Sequence, residues 1–247
     1  MEQGHHELLR KFTPVSLDEI GRISLRRMET KFMMPVDMLQ HFLQAIAGHY
    51  SILETAGTRL QAYTTHYFDA PDMRLYLDHH NGYARRIKVR QRKYEQAGDC
   101  YFEIKQKRPD NTNDKYRQKI ANLSDTLTDA QQAAIKCPHI AGKSLQLKLI
   151  NTFQRTSLAN INTAERITID TNIKVNNTVK ELSLAGTAII EVKLAKYNRN
   201  SAAMQYAQTH RLQEQSFSKY AVGAALLYPS LKTNNFKYLI QKHIHGT

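Results

Sequence analysis

Two cysteines, Cys100 and Cys137, are the whole thiol content of this 247-residue chain, and their spacing forms no metal-ligand pattern. Nothing requires them to pair, so a reducing, cytoplasmic setting is the expectation. No window approaches the roughly 18 consecutive apolar residues of a membrane-spanning helix. The opening MEQGHHELLRKF lacks the apolar centre of a signal peptide. Gly-x-Ser-x-Gly, Walker A and dinucleotide fingerprints are all missing, which leaves a serine hydrolase, a P-loop enzyme or a Rossmann protein without support. The histidines show no zinc spacing: His5 and His6 sit near the N-terminus, and His79 and His80 sit beside Asn81-Gly82. No repeat or low-complexity linker divides the chain, so one domain over 1–247 is expected. Acidic residues are the last shortage. Lys and Arg number 35 against 22 Asp and Glu, a formal charge of +13, while the hydrophobic content of 41% suffices for a core. Such an imbalance attracts anions: nucleic acid, anionic lipid or phosphate compounds.

The charge is concentrated between Arg85 and Lys119, where twelve Lys or Arg and five Asp or Glu fall within 35 residues. Alternate side chains of a strand share a face. That spacing groups Arg86, Lys88, Arg90 and Arg92, then Tyr101, Glu103, Lys105 and Lys107, then Lys115, Arg117 and Lys119. Ile87 and Val89, Phe102 and Ile104, and Tyr116 and Ile120 fall on the opposite faces. Residues 95–99 and 108–114 are rich in turn formers, so three neighbouring strands joined by hairpins are predicted. Like charges opposite one another are destabilising. Such a face makes sense when a polyanion sits on it.

Around this block the pattern predicts a short helix within 5–20, strands at 22–34, 58–68 and about 74–78, and a helix from Pro35 to about Gly48. A polar helix at 124–136, strands at 164–170 and 187–194, and helices at about 200–213 and 217–228 follow, with 143–160 ambiguous and a tail at 235–244 that is either helical or frayed. About eight antiparallel strands with few helices suggest an α+β, mainly β chain built as a barrel or strongly curved sheet. Its apolar positions would be covered by helices outside, and its charged positions would face inward.

Carboxylates stand among the cations at Glu29, Glu103, Glu165 and Glu191, and three have a lysine two residues on: Lys31, Lys105 and Lys193. Mg²⁺ takes one or two carboxylates plus substrate phosphates. Cations for phosphate and a few glutamates for metal are what phosphoryl transfer requires. Taken singly, each Glu-x-Lys pair reads as a surface ion pair worth little.

Nine segments carry a family resemblance in order: RMETKF (27–32), YFDAPDMRLY (67–76), HHNG (79–82), RIKVRQRKY (86–94), FEIKQK (102–107), KYR (115–117), ERITID (165–170), IIEVK (189–193) and FSKY (217–220). Together they resemble the VTC domain, the polyphosphate polymerase domain of the vacuolar transporter chaperone, in its stand-alone bacterial form, within the triphosphate tunnel metalloenzymes. The resemblance implies an eight-stranded antiparallel tunnel, closed as a barrel, with a basic lumen, helices outside and a C-terminal helix near one mouth. It implies Mn²⁺ or Mg²⁺, with ATP and polyphosphate as substrates. By position it implies phosphate contacts at Lys31, Lys115, Arg117 and Lys219, a catalytic set of Arg90, Arg92, Lys105, Arg155 and Arg166, and a metal ligand at Glu191. Lys88, Lys107 and Lys193 extend the phosphate-binding set, and Glu29 and Glu103 join the candidate metal ligands. Two departures stand out. Arg27 replaces the first acid of a Glu-x-Glu-x-Lys motif, which disfavours hydrolysis, and Ser216 stands where the family polymerase has a second lysine.

The expectation is therefore a metal-dependent transfer of the ATP γ-phosphate to a growing polyphosphate chain. The alternatives are a triphosphatase on the same tunnel and a non-catalytic polyphosphate-binding module. Nucleic-acid binding ranks low, because Tyr101 is the main aromatic on the basic face.

Overall fold

The structure, a computed structural model, describes residues 7–21, 28–110, 112–195 and 198–243. Its strands are β1 (Pro14–Val15), β2 (Met28–Pro35), β3 (Ser51–Leu53), β4 (Gln61–Asp69), β5 (Ile87–Tyr94), β6 (Cys100–Lys107), β7 (Asn113–Ile120), β8 (Gln146–Asn160), β9 (Glu165–Asn176), β10 (Glu181–Ser183) and β11 (Thr187–Leu194). The helices are α1 (Leu17–Gly21), α2 (Leu39–Ile46), α3 (Arg74–His80), α4 (Asp129–Ala134), α5 (Ala202–Thr209), α6 (Lys219–Leu227) and α7 (Lys237–His243). Among the described residues no helix is long and apolar enough to cross a membrane, and both cysteines are free.

Eight strands pair antiparallel in the order β2-β11-β9-β8-β4-β5-β6-β7, and β1, β3 and β10 attach at the margins to make eleven. The three basic strands fall where the alternation places them. The ambiguous stretch 143–160 is the long strand β8, whose Phe153 and Arg155 face the same side as Tyr63 of β4.

Two expectations are corrected. Residues 74–78 are not a strand but α3. The buried Asp69 carboxylate accepts from the backbone N–H of Leu75 and Tyr76, both at 2.8 Å, and so satisfies donors that the first turn of a helix leaves open. Nor does the ladder close into an eight-stranded barrel: among the described residues β2 and β7 do not pair. The outer edge of β2 is already taken, because Phe32 bridges Glu214 and the Gln215 N–H donates to the Lys31 carbonyl at 2.8 Å. The sheet nevertheless curls far enough that the charge of Lys105 on β6 acts on Lys31 of β2, six strands away along the ladder. Of the predicted strand at 22–34, residues 22–27 lie outside the described residues.

Burial explains the layers. Leu39, Phe42, Leu43 and Ile46 form one stripe of α2 and pack with α5 over the outer side of β2, β11, β9 and β8, on Phe32, Met34, Ile167, Ile169, Ile190 and Val192. A second outer cluster joins Phe68, Val89, Phe102 and Ile104 to Ile140 and Leu145. It sits beside α4, whose start is fixed by a Thr128–Gln131 capping box. The third cluster lies on the inner side. There α6 sets Tyr220, Ala221 and Ala224 against Leu149, Ile173, Val175, Met33 and Ile189. β9 reaches this packing through a bulge. Asp170 pairs with Arg155 and Val175 with Asn151, so five residues of β9 oppose four of β8, and Asn172 takes φ 50°. The extra residue turns Ile173 and Val175 onto the face that already carries Asp170. The inner surface is thus divided: an apolar part is covered by α6, and the rest is charged.

Candidate active site

Strand alternation brings the predicted side chains onto the uncovered inner face in three groups, each organised by a carboxylate. In the first, Asp170 of β9 is 3% exposed and binds Arg155 of β8 through both oxygens, Nε to Oδ1 at 2.6 Å and Nη2 to Oδ2 at 2.8 Å. Lys219, at the first position of α6, donates to the same Oδ2. Burial alone would raise the Asp170 carboxyl, but Arg155 and Lys219 outweigh it and hold it at about 2. Burial would lower the Arg155 guanidinium, and Asp170 more than reverses this. Beneath the group lie Tyr63 and Phe153, stacked with centroids 4.9 Å apart. The guanidinium carbons of Arg92 and Arg155 lie 5.3–5.6 Å from both rings, and the Lys219 ammonium lies 4.4 Å from Phe153. Arg92 is oriented further by donating Nε–H to Thr65 Oγ1 at 3.1 Å.

The second group surrounds Glu103 of β6, which is 1% exposed. Arg90 reaches Oε2 with Nε at 2.7 Å and Nη2 at 2.6 Å, Lys115 reaches Oε1 at 2.6 Å, and Arg117 Nε lies 3.4 Å from Oε1. Burial opposes ionisation here too, yet Arg90 and Lys115 bring the carboxyl down to about 2. Arg117 also covers the Tyr101 ring at 3.5 Å.

The third group joins β2 and β11. Register sets Glu191 opposite Lys31 and Lys193 opposite Glu29. Lys31 pairs with Glu29 and approaches Glu191 at 3.4 Å, while Lys193 pairs with Glu191. Burial works against the Glu191 carboxylate, but Lys193, Lys31 and Arg155 hold its pKa well below the usual range. Arg166 stands next to Lys193 in register on β9. Lys88 and Lys105 face one another across β5 and β6, and Lys107 lies toward the end of β6. Ser216 is exposed just before α6, and Arg27 falls outside the described residues.

Among the described residues no three His, Cys, Asp or Glu side chains form a ready-made metal cage. Glu191 and Glu29 sit diagonally on neighbouring strands around Lys31, a donor set that suits a hard cation carried in with phosphate oxygens. Glu103 is of a different kind: it is ion-paired with three cations, Arg90, Lys115 and Arg117.

Two inner-face groups were not singled out from sequence. Asp170 follows Arg166 and Thr168 at two-residue spacing, so alternation alone could have found it. Unlike Glu29, Glu103 and Glu191, it has no lysine two residues on, where Asn172 stands. Tyr67 lies opposite Arg90; burial would raise its phenol, and Arg90, Arg92 and Lys219 outweigh this and lower it.

No curated protein matches the chain. Among solved structures it is similar to a proposed adenylyl cyclase from Hippeastrum with a dominant triphosphatase activity (12% identity, TM-score 0.49, 81% of this chain and 96% of that one). It is also similar to a proposed adenylate cyclase from Vibrio parahaemolyticus (13%, 0.45, 81% and 100%) and to the PH1819 protein of Pyrococcus horikoshii (10%, 0.44, 79% and 97%). The family model described as VTC domain matches residues 26–228, and the chain belongs to that family.

Proposed function

We propose that this chain is a metal-dependent phosphotransferase that moves the γ-phosphoryl group of ATP onto the end of a polyphosphate chain. The observation that carries this reading is the cationic inner face, on which Glu191, Glu103 and Asp170 are each held ionised by cations. All three sit below the usual carboxylate range. None is a good base for activating water. An acceptor phosphate needs no such base, because it is already anionic at neutral pH. A terminal phosphate oxygen attacks the γ-phosphorus in line, the bond to the β-phosphate oxygen breaks, and ADP leaves without any proton having to move.

Arg155, Arg92 and Lys219 are held over the Tyr63–Phe153 floor and would clamp the transferring group, with Arg90, Lys105 and Arg166 around it. Lys31 and Lys193 would bind the remaining donor phosphates, and Lys115 and Arg117 the phosphates nearer β7. A divalent cation, Mn²⁺ or Mg²⁺, when held by Glu191 and Glu29 together with phosphate oxygens, supplies charge neutralisation for the leaving diphosphate. In this assignment Glu103 organises Arg90 and Lys115 instead of binding metal. Positioning and electrostatic stabilisation are the protein's whole contribution.

The test is incubation with ATP and Mn²⁺ followed by gel analysis for polyphosphate. A ladder of long chains that is lost in Glu191→Gln, with an unchanged melting temperature, is the expected result. Orthophosphate as the sole product would identify a triphosphatase, and no turnover with any divalent ion would identify a binding module.

A further inference from the structure

The inner wall of β9 carries a hydroxyl that the fold leaves unused. Strand alternation puts Thr168 on the same face as Arg166 and Asp170. The residue is 7% exposed, and its Oγ1 is buried with no hydrogen-bond partner among the described residues. Such a group is unfavourable, because it has given up water and gained nothing in return. Its position gives it a use. Register sets Thr168 directly opposite Glu191 of β11, and Glu191 opposite Lys31 of β2. Side chains opposed in this way start about 5 Å apart at Cβ, close enough to share one small ion. Apart from Glu29, the other neighbours of Glu191 on this face are unsuited to a cation. Lys31, Lys193 and Arg166 are positive, Met33 and Ile189 carry no side-chain oxygen, and Asp170 is already bound by Arg155 and Lys219. Thr168 supplies a neutral oxygen there.

We propose that Thr168 is an oxygen ligand of the divalent cation held by Glu191, bound to it directly or through one of the ion's waters. This rests on the phosphotransferase reading above and deepens it by adding a neutral protein oxygen to the two carboxylates. A hard divalent cation takes oxygen ligands and keeps several waters, so a hydroxyl suits it, and P-loop enzymes hold Mg²⁺ with a Ser or Thr hydroxyl. Neutrality is an advantage at this position. The charges of Lys193, Lys31 and Arg155 already act on Glu191, and a further carboxylate beside it would be claimed by the same cations. A hydroxyl has no charge to attract them and stays free for the ion. With the ion in place, the Lys193 ammonium that now pairs with Glu191 would turn to the donor phosphates.

The test is the affinity of Mn²⁺ for the complex of the protein with β,γ-imido-ATP, read from the electron paramagnetic resonance of free Mn²⁺. Protein is kept in excess so that no unbound nucleotide competes, and no turnover enters the readout. Thr168→Val should weaken Mn²⁺ binding about tenfold, the low end of what removing a partner around a metal costs. Thr168→Ser keeps the hydroxyl and should bind Mn²⁺ as wild type does, while Glu191→Gln should lose more than Thr168→Val. In EDTA, calorimetry should find the affinity of Thr168→Val for β,γ-imido-ATP unchanged. Its metal-free melting temperature should equal or exceed that of wild type, because the unpaired hydroxyl is gone. The proposal is overturned if Thr168→Val or Glu191→Gln holds Mn²⁺ normally, or if Thr168→Ser is as weak as Thr168→Val. It is overturned equally if Thr168→Val loses nucleotide affinity in EDTA to the same extent, which would put the hydroxyl on phosphate, or if it melts lower, which would give the hydroxyl a partner in the fold. Loss of the phosphotransferase reading would look different: no polymer from ATP, with Mn²⁺ affinity still dependent on Thr168.

Discussion

A single buried carboxylate decides how the cations over the Tyr63–Phe153 floor are arranged. Asp170 holds Arg155 in a two-point grip and Lys219 by one oxygen, so Asp170→Asn leaves two enclosed positive charges facing each other. Removing one partner of a buried ion pair costs about 3–5 kcal/mol, and a urea melt should show a loss of this size. The same carboxylate makes a prediction about acid. Asp170 and Glu103 titrate at about 2 in the folded chain, below their ordinary values of 3.8 and 4.5. The stability they contribute is complete above those ordinary values and is lost as pH falls toward 2. Asp170 alone accounts for on the order of 2 kcal/mol of it. Urea midpoints measured from pH 5 to pH 2.5 should fall steeply for wild type and less steeply for Asp170→Asn; parallel slopes would refute the assignment. At this scale alternation was a sufficient guide to which cations share a face, because strand geometry leaves only two directions. It said nothing of which carboxylate holds which cation, since Arg155 and Asp170 meet only across a pairing that the sequence does not display.

The helix that closes over the apolar part of the inner face depends on one residue without a side chain. A Cβ on Gly223 would lie 2.6 Å from Leu149 Cδ1 and 3.0 Å from Val175 Cγ1. Alanine at this position gains roughly 1 kcal/mol of helix propensity, but Leu149 and Val175 are both fully buried and have little room to yield. Overpacking costs about 1–3 kcal/mol, so Gly223→Ala should lower the urea midpoint. It should also loosen Lys219 from Asp170, seen as faster proteolysis near the start of α6. A more stable variant would mean that Leu149 repacks freely. Elements with strong periodicity, such as α2 and the three basic strands, could be read from sequence. α3 could not: RLYLD alternates like a strand, and only Asp69, brought to its first turn by the chain reversal after β4, selects the helix. Closure was likewise invisible, because pairing of the first and last strands depends on whether another segment reaches the edge first. Here residues 214 and 215 do.

For the whole molecule, the formal charge of +13 and the partly unneutralised inner face mean that the ligand-free chain works against its own repulsion. An anion that fits inside should stabilise it beyond simple screening. Polyphosphate at roughly 100 times its dissociation constant should add about 2.7 kcal/mol, and the melting temperature should rise further than in sodium chloride of equal ionic strength. Equal shifts would indicate screening alone. The open ladder carries one more consequence. A closed barrel has a circumference dictated by strand number and shear, so its bore cannot change without breaking hydrogen bonds. A curled sheet whose first and last strands do not pair with each other is not so constrained: a small change of twist per strand, summed over seven pairings, widens or narrows the channel while every ladder bond is kept. Its diameter is an elastic variable set by the balance between repulsion of the lining charges and whatever lies among them.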